Sequence, residues 1–533
     1  MSLLKSIATV SGGTAVSRVV GLIRDMLMAK YLGATLMSDA FFVAFRFPNL
    51  FRSLLAEGTL NVAFVPLLTG ELQAAGKKSA REFAAAVFSF LFYVLLIFIV
   101  VMEIIMPSVM FLLAPGFSQI PGKLALTTTL SRIAFPFLMA VSLVSLMAGI
   151  LNSLGKFGAA ALTPTLLNIC MIAGLLGLMP FISSEYAPAY ALSWGVFIAG
   201  FVELIFLGYF LWKNDFTFRL LGPIRALFHL SGAVKTLLKK MGPGILGSGV
   251  YQINLCLDTV FVSFVGAGAI SWLNYANRLF QLPVGMIGVA IGTALLPILS
   301  RHIRAGEHAQ ANTQLNRGLE LSLAMSLSSM IGLMLLATPI IGVLFEHGIF
   351  TRTDTLHTAS ALMIYALSLP AYMATKALSP FFYARGDTKT PVKIAIVGVV
   401  LNSVAALILM QFLGYKGIAL ATTLATWVNA VQYFVRIRQS RQFTRDALFK
   451  FRTPRILIAC VLMGAVLGFG SFIARAMDPE WQFGLSLYSA GILGALIGTG
   501  VAVFCGFLMM TKVFTWEMIQ TFARRPTKAV ADE

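Results

Sequence analysis

The sequence predicts an all-α polytopic membrane protein: about 14 transmembrane helices, arranged as two parallel six-helix lobes around a central cavity plus two C-terminal helices. Three observations carry this. Of the 533 residues, 58% are hydrophobic and 11% charged, with a mean hydropathy of +0.86; a soluble domain carries about 25% charged residues. Apolar runs recur at the length of about 20 residues that a spanning helix needs. Lysine and arginine alternate strongly between successive loops, as the positive-inside rule requires.

The expected spans are 7–30, 38–68, 83–112, 124–151, 158–181, 188–212, 243–266, 269–299, 319–345, 356–381, 392–413, 417–435, 456–476 and 484–511. Pro48 breaks the second, since an interior proline removes a ladder hydrogen bond and kinks the helix. The length of the second and eighth leaves room for bends or interfacial turns. The loops after even-numbered spans, with Lys5 and the tail, hold 28 of the 40 basic residues, whereas odd-numbered loops hold only Lys123, Arg352, Lys416 and Arg475. A missed span would scramble that ratio, so both termini are expected in the cytoplasm.

Weak internal similarity divides the chain. LNSLGKFGAAALTPTLLN (151–168) and FYARGDTKTPVKIAIVGVVLN (382–402) share a small-residue turn, a Thr-Pro entering a helix and a Leu-Asn within it. FVPLL (64–68) and LLPIL (295–299) each close a long segment that opens with charged helix faces. The similar stretches lie six spans apart, an even number, so the halves are parallel repeats. The expected divisions are 1–220 and 221–450 for the lobes, 451–511 for the last two spans, and 512–533 for a cytoplasmic tail. The basic, partly apolar segments 213–242 and 436–455 read either as amphipathic stretches on the anionic inner leaflet or as plain positive-inside loops.

Several function classes recede at this point. The net charge of +19 is accounted for by loop topology and does not argue for nucleic acid. Cys170, Cys256, Cys460 and Cys505 lie in apolar segments without disulfide or metal spacing. The N-terminal run is interrupted by Gly12, Gly13 and Ser17-Arg18 and does not read as a cleavable signal. There is no phosphate-loop spacing, metal cluster or nucleophile–base constellation, so an enzyme is disfavoured.

Function concentrates in Ser17–Gly58. Five basic residues (Arg18, Arg24, Lys30, Arg46, Arg52) and three acidic ones (Asp25, Asp39, Glu57) sit in two apolar helical patterns there. One charge facing lipid costs roughly 2.5–3.5 kcal/mol, so eight would cost on the order of 20 kcal/mol, above the stability of a typical fold. They must line a wet cavity, pair with one another, or lie near the interfaces. Asp39, Arg46 and Glu57 share a helix face, as do Arg18 and Asp25. An ion-pair network joining the first two helices explains single pairs, yet arginines exceed the nearby carboxylates. Arg278 is the only basic residue of the eighth span; it reads as a cavity group or as a snorkelling side chain. Ser271 beside it offers a hydroxyl or simple helix packing. Arginine's planar fork suits phosphate and stays charged in a cavity. Among single intramembrane charges, Glu103, Glu203, Arg132 and Lys376 can pair across helices or sit near interfaces. Asp258 reads as a cation or proton ligand, or as a helix–helix hydrogen-bond partner.

At these residues the chain closely resembles the MurJ (MviN) lipid II flippase family, within the multidrug/oligosaccharidyl-lipid/polysaccharide exporter superfamily. The resemblance rests on SRVVGLIRD (17–25), SDAFFVAFRFPNLFRSLLAEGTLNVAFVPLL (38–68), APGF (114–117), LTPTLLNICMI (162–172), MGPGILG (241–247), YANRL (275–279), GTALLPILS (292–300) and DTKTPVKIAIV (387–397). It implies a multi-pass protein of the bacterial cytoplasmic membrane that flips undecaprenyl-diphosphate-linked peptidoglycan precursor, lipid II, from the inner to the outer leaflet by alternating access. It implies a tail groove formed with the last two helices, no cofactor, and contacts with membrane lipids. Arg18, Arg24, Arg52 and Arg278 would hold the diphosphate, with Asp39 as the second helix's carboxylate and Asp25, Arg46, Glu57 and Ser271 supporting the cavity. A coupling ion, sodium or a proton, would use Asp258, Asn402 and Thr422; the family's further acidic position is Ala406 here, and Gln281 stands where some relatives carry an acid. A monomer is favoured. A flippase for another polyprenyl-diphosphate oligosaccharide, a drug/cation antiporter of the same superfamily and a non-transport scaffold are the alternatives. The surplus arginines argue against the antiporter.

Overall fold

The computed structural model describes residues 3–53, 60–228, 232–440 and 443–513, and every regular element among them is helical. The chain forms two compact units by packing, Met1–Ser271 with Gly348–Phe350, and Trp272–His347 with Thr351–Glu533.

The first unit contains α1 (Leu3–Leu32), α2 (Leu36–Phe51), α3 (Asn61–Ala74), α4 (Gly76–Leu113), α5 (Lys123–Ala134), α6 (Phe137–Ser153), α7 (Phe157–Ala173), α8 (Ala187–Lys213), α9 (Pro223–Phe228) and α10 (Gly232–Ser263). Gly33, in a left-handed conformation at φ +61°, closes α1. Thr35 then starts α2 with a capping box: its hydroxyl accepts from Met37 N–H, and the Ser38 hydroxyl accepts from Thr35 N–H. Such reciprocal caps satisfy amides that a helix start leaves unpaired. Two apolar cores hold the unit. Phe64, Phe83, Leu146, Ile150 and Leu207 build one, and Phe41, Leu130, Leu175, Leu192 and Val196 the other. The packing boundary falls at Ser271, beyond the expected division near residue 221, because α10 packs on α3 and α4. Gly116 sits so close to the backbone of Ser263 that any Cβ there would collide with it, which fixes the end of α10 against the turn after α4.

The second unit begins at Trp272 within α11 (Ala269–Pro283), whose first turn belongs to the first unit, and runs through α12 (Val289–Arg304), α13 (His308–Leu335), α14 (Ala337–Phe345), α15 (Arg352–Ala366), α16 (Leu369–Tyr383), α17 (Lys389–Leu413), α18 (Tyr415–Gln439), α19 (Ala447–Met477) and α20 (Leu487–Met510). Thr351 and Asp354 cap α15 reciprocally, Asp446 caps α19 and Ser486 caps α20. The last two helices pack on α13 and α14 through Ile456, Met463, Leu467, Trp481 and Phe504. A second core joins α12, α13, α16 and α18 through Leu295, Leu319, Phe381 and Ile437.

Eleven helical stretches among the described residues are long and apolar enough to cross a membrane, and they coincide with expected spans three to six and eight to fourteen. The other three expected spans coincide with α1, with α2 and α3, and with α10. These are helical, but charges and polar residues dilute the apolar runs of α1 and α10, and α2 and α3, of 16 and 14 residues, are each shorter than a span. Large apolar side chains such as Leu112, Ile205, Phe412, Val461 and Phe469 stand exposed on long helices, as a lipid-facing surface requires. The protein is a multi-pass membrane protein.

Interruptions recur inside the spans. The fourth expected span breaks at Phe135–Pro136 and the tenth at Leu367–Ser368, while the ninth begins at His308, ahead of the expected residue 319. The helix widens to a π-turn at Arg52–Ser53 and again at Val284–Gly288. Aligned by the FVPLL and LLPIL segments, these two turns fall at corresponding places in the halves.

Candidate functional site

The charged α1 is locked to α7 through one arginine. Arg24 is 6% exposed; its Nε and Nη2 donate to Asp25 Oδ1 at 3.0 and 2.6 Å, and its Nη1 donates to Asn168 Oδ1 at 2.7 Å. Asn168 returns a hydrogen bond from Nδ2 to the Ser17 carbonyl. Arg18, which shares a helix face with Asp25 by spacing, is exposed, and Asp25 pairs with the adjacent Arg24. The planar fork makes this possible: adjacent helical residues do not face each other, but a long guanidinium can fold back over its neighbour.

On α2, Asp39 is fully buried. Its Oδ2 accepts from Lys123 Nζ at 2.8 Å and Gly268 N–H at 2.7 Å; its Oδ1 accepts from Ser271 N–H at 2.9 Å and the Ser271 hydroxyl at 2.7 Å. The carboxylate thus meets the first amides of α11, where a helix start favours negative charge. Lys123 is buried completely and also rests over the Phe117 ring, 4.0 Å from its centroid. Asp39 is placed as a structural anchor joining α2, α5 and the start of α11.

Farther along α2, Arg46 donates to the Thr259 hydroxyl of α10 at 2.6 Å, and Arg52 donates from Nε to Asn49 Oδ1 at 2.9 Å. Glu203 of α8 is 2% exposed with an Oε2 that has no hydrogen-bond partner among the described residues, and the Arg52 guanidinium is the opposite charge acting on it. Glu57 lies outside the described residues. In the second unit Arg278 is exposed on α11. Lys376 on α16 lies beside Tyr372 and Gly288.

The family model described as "Lipid II flippase MurJ" matches residues 28–488. The chain belongs to the MurJ family. Among MurJ relatives, a probable lipid II flippase of Rhizobium tropici is 40% identical over 506 residues, which is 95% of this chain and 93% of the relative. One of Rickettsia prowazekii (strain Madrid E) is 36% identical over 519 residues, 97% of this chain and 99% of that protein. The solved inward closed structure of a lipid II flippase MurJ superposes with a TM-score of 0.75 at 27% identity, covering 97% of this chain and 99% of that one. An inward-facing multidrug resistance MATE transporter superposes at 0.66 with 18% identity, over 82% of this chain and 98% of its own, a likeness of fold alone.

The MurJ cation residues expected from the resemblance divide between the two units. Asp258 accepts from Asn254 Nδ2 one turn back on α10. Asn402 is buried on α17, and Thr422, on the neighbouring α18, donates its hydroxyl to the Ile418 carbonyl. Two residues that hold these charged side chains, Lys123 and Asn168, escaped the sequence reading. Lys123 was counted with the loops, although it is a rare basic residue on the charge-poor side. Asn168 is a neutral residue in an apolar helix and carries no charge signal; only its place in the repeated Leu-Asn marked it.

Proposed function

We propose that this chain is a lipid II flippase of the cytoplasmic membrane, with both termini in the cytoplasm and fourteen spans in all. It carries an undecaprenyl-diphosphate-linked peptidoglycan precursor from the inner to the outer leaflet by alternating access. It is a transporter and catalyses no covalent change. The observation that carries the reading is the whole-length likeness to relatives described as lipid II flippases, joined to an arginine-rich α1–α2 segment.

In this reading Arg24, Arg52 and Arg278 clamp the diphosphate and Arg18 adds to the field. Arg24 reaches phosphate by exchanging its bonds to Asp25 and Asn168 for bonds to the headgroup. The exchange leaves the Asp25 carboxylate without its partner, a cost that the bonds from Arg24 to the diphosphate must offset. Asp39 and Ser271 act as positioning residues that fix the start of α11. Arg46 holds α2 to α10. Asp258, Asn402 and Thr422 are the proposed cation residues, sodium or a proton being the ion. The protein acts as a monomer.

Depletion of the protein in cells, with outer-leaflet lipid II assayed, tests the assignment: exposure of lipid II at the outer face should collapse. Unchanged exposure would overturn it. A flippase for another polyprenyl-diphosphate oligosaccharide would leave lipid II exposure intact while halting export of its own substrate.

A further inference from the structure

Lys376 stands in the tenth expected span, on α16, with no acidic partner among the described residues. Its ammonium lies 5.3 Å from the centroid of the Tyr372 ring, which in turn meets Phe280 of α11 edge-on. The stem passes Gly288 at the wide turn after α11: a Cβ built on Gly288 would lie 3.7 Å from Lys376 Cγ, and one on Gly292 would lie 3.3 Å from the Lys376 carbonyl oxygen. Two glycines therefore let α16 press its lysine against the α11–α12 run. Arg278 is on that same run, ten residues before Gly288, or about 15 Å along the axis.

An ammonium at this depth is costly unless a counter-charge meets it, and a cation–π contact is a weak substitute for one. Lysine is also a natural phosphate ligand, acting as a compact point charge. We propose that Lys376 is a further phosphate-binding residue of the second unit, which receives the lipid's diphosphate at a step displaced along α11–α12 from Arg278. This rests on the flippase reading above. It adds a second station for the anion, so that the charge of the headgroup is never without a cationic partner as it moves.

The test uses the purified full-length protein and measures binding of three probes, undecaprenyl diphosphate, phosphatidylglycerol and inorganic pyrophosphate, with undecaprenol as the phosphate-free reference. Wild type is compared with Lys376→Met and Lys376→Arg, and thermal unfolding of each variant confirms the fold. Lys376→Met should weaken undecaprenyl diphosphate about tenfold, leave undecaprenol unchanged, and be rescued to within about threefold by Lys376→Arg. Pyrophosphate should compete with the diphosphate lipid on wild type and compete less on Lys376→Met. Unaltered diphosphate binding by Lys376→Met overturns the proposal, as does an equal loss for undecaprenol. A loss confined to phosphatidylglycerol also overturns it, by showing a side chain that snorkels to bilayer phosphates. If wild type itself fails to prefer undecaprenyl diphosphate over undecaprenol, the flippase reading falls with it; if wild type prefers it and Lys376→Met does so equally, only the second station falls.

Discussion

Lys123 Nζ lies 2.8 Å from Asp39 Oδ2, and both side chains are completely buried. An ion pair in that setting is maintained by the completeness of its partners, here two amides and a hydroxyl besides the ammonium. Removing one partner leaves an uncompensated charge.

Lys123→Met should therefore destabilise the protein by about 3–5 kcal/mol, while Lys123→Met combined with Asp39→Asn should recover much of the loss. Thermal and denaturant unfolding in detergent would measure both. A loss in the double variant equal to the sum of the Lys123→Met and Asp39→Asn losses would show that the pair is not coupled.

Arg24 is shared between Asp25 and Asn168. If it exchanges these for phosphate, Asp25→Asn should tighten undecaprenyl diphosphate binding about 3- to 10-fold, because a competing carboxylate is gone. Arg24→Ala should lose binding, with Arg24→Lys intermediate because the bidentate fork is lost but the charge remains. Weaker binding by Asp25→Asn would mean that the carboxylate orients Arg24 for the substrate.

Asp446, ahead of α19, gives a pH dependence. Burial pushes its carboxyl up, but the hydrogen bonds from Arg317 and Phe449 N–H, with the charges of Arg317 and Arg452, outweigh this and hold it below the ordinary value. A carboxyl with a lowered folded-state pKa stabilises fully above its unfolded pKa of about 3.9, and that stabilisation disappears as pH falls through the folded value. Acidification below about pH 4 should thus loosen the start of α19 from α13. Asp446→Asn should flatten this acid response when backbone amide exchange of residues 447–455 is followed against pH.

Gly116→Ala should lower the melting temperature and the folded yield, since its Cβ meets backbone atoms of Ser263 that cannot swing aside. Gly122→Ala, at a left-handed turn with open space around it, should cost only the backbone strain. A larger loss at Gly122 would contradict this ranking.

The fold was legible wherever apolar length did the specifying: the spans around α4, α8, α17, α19 and α20 announce themselves by composition. The interruptions were less so. α2 runs through Pro48 to Phe51, so the break expected there does not fall at the proline, whereas Pro136 marks an interruption of the fourth span that the spacing did not announce. In the candidate site, the identity of the charges was plain and their pairing was not. Helical spacing speaks of faces, whereas Arg24 reaches its own neighbour, and Asp39 finds Lys123 and Ser271 through contacts distant in sequence. Lys123 shows the limit well, because loop position and complete burial are compatible once a carboxylate waits at the end of the adjacent helix.

The π-turn at Val284–Gly288 has a bearing on leakage. One added residue rotates everything beyond it by about 100° relative to what precedes it. The polar row of Asn274, Arg278 and Gln281 on α11 therefore does not run on in phase along α12. A hydrophilic stripe reaching from one leaflet to the other would invite a file of water and, with it, a shunt for small ions. Cut at the wide turn, the row ends within the helix and offers water no continuous polar track along it.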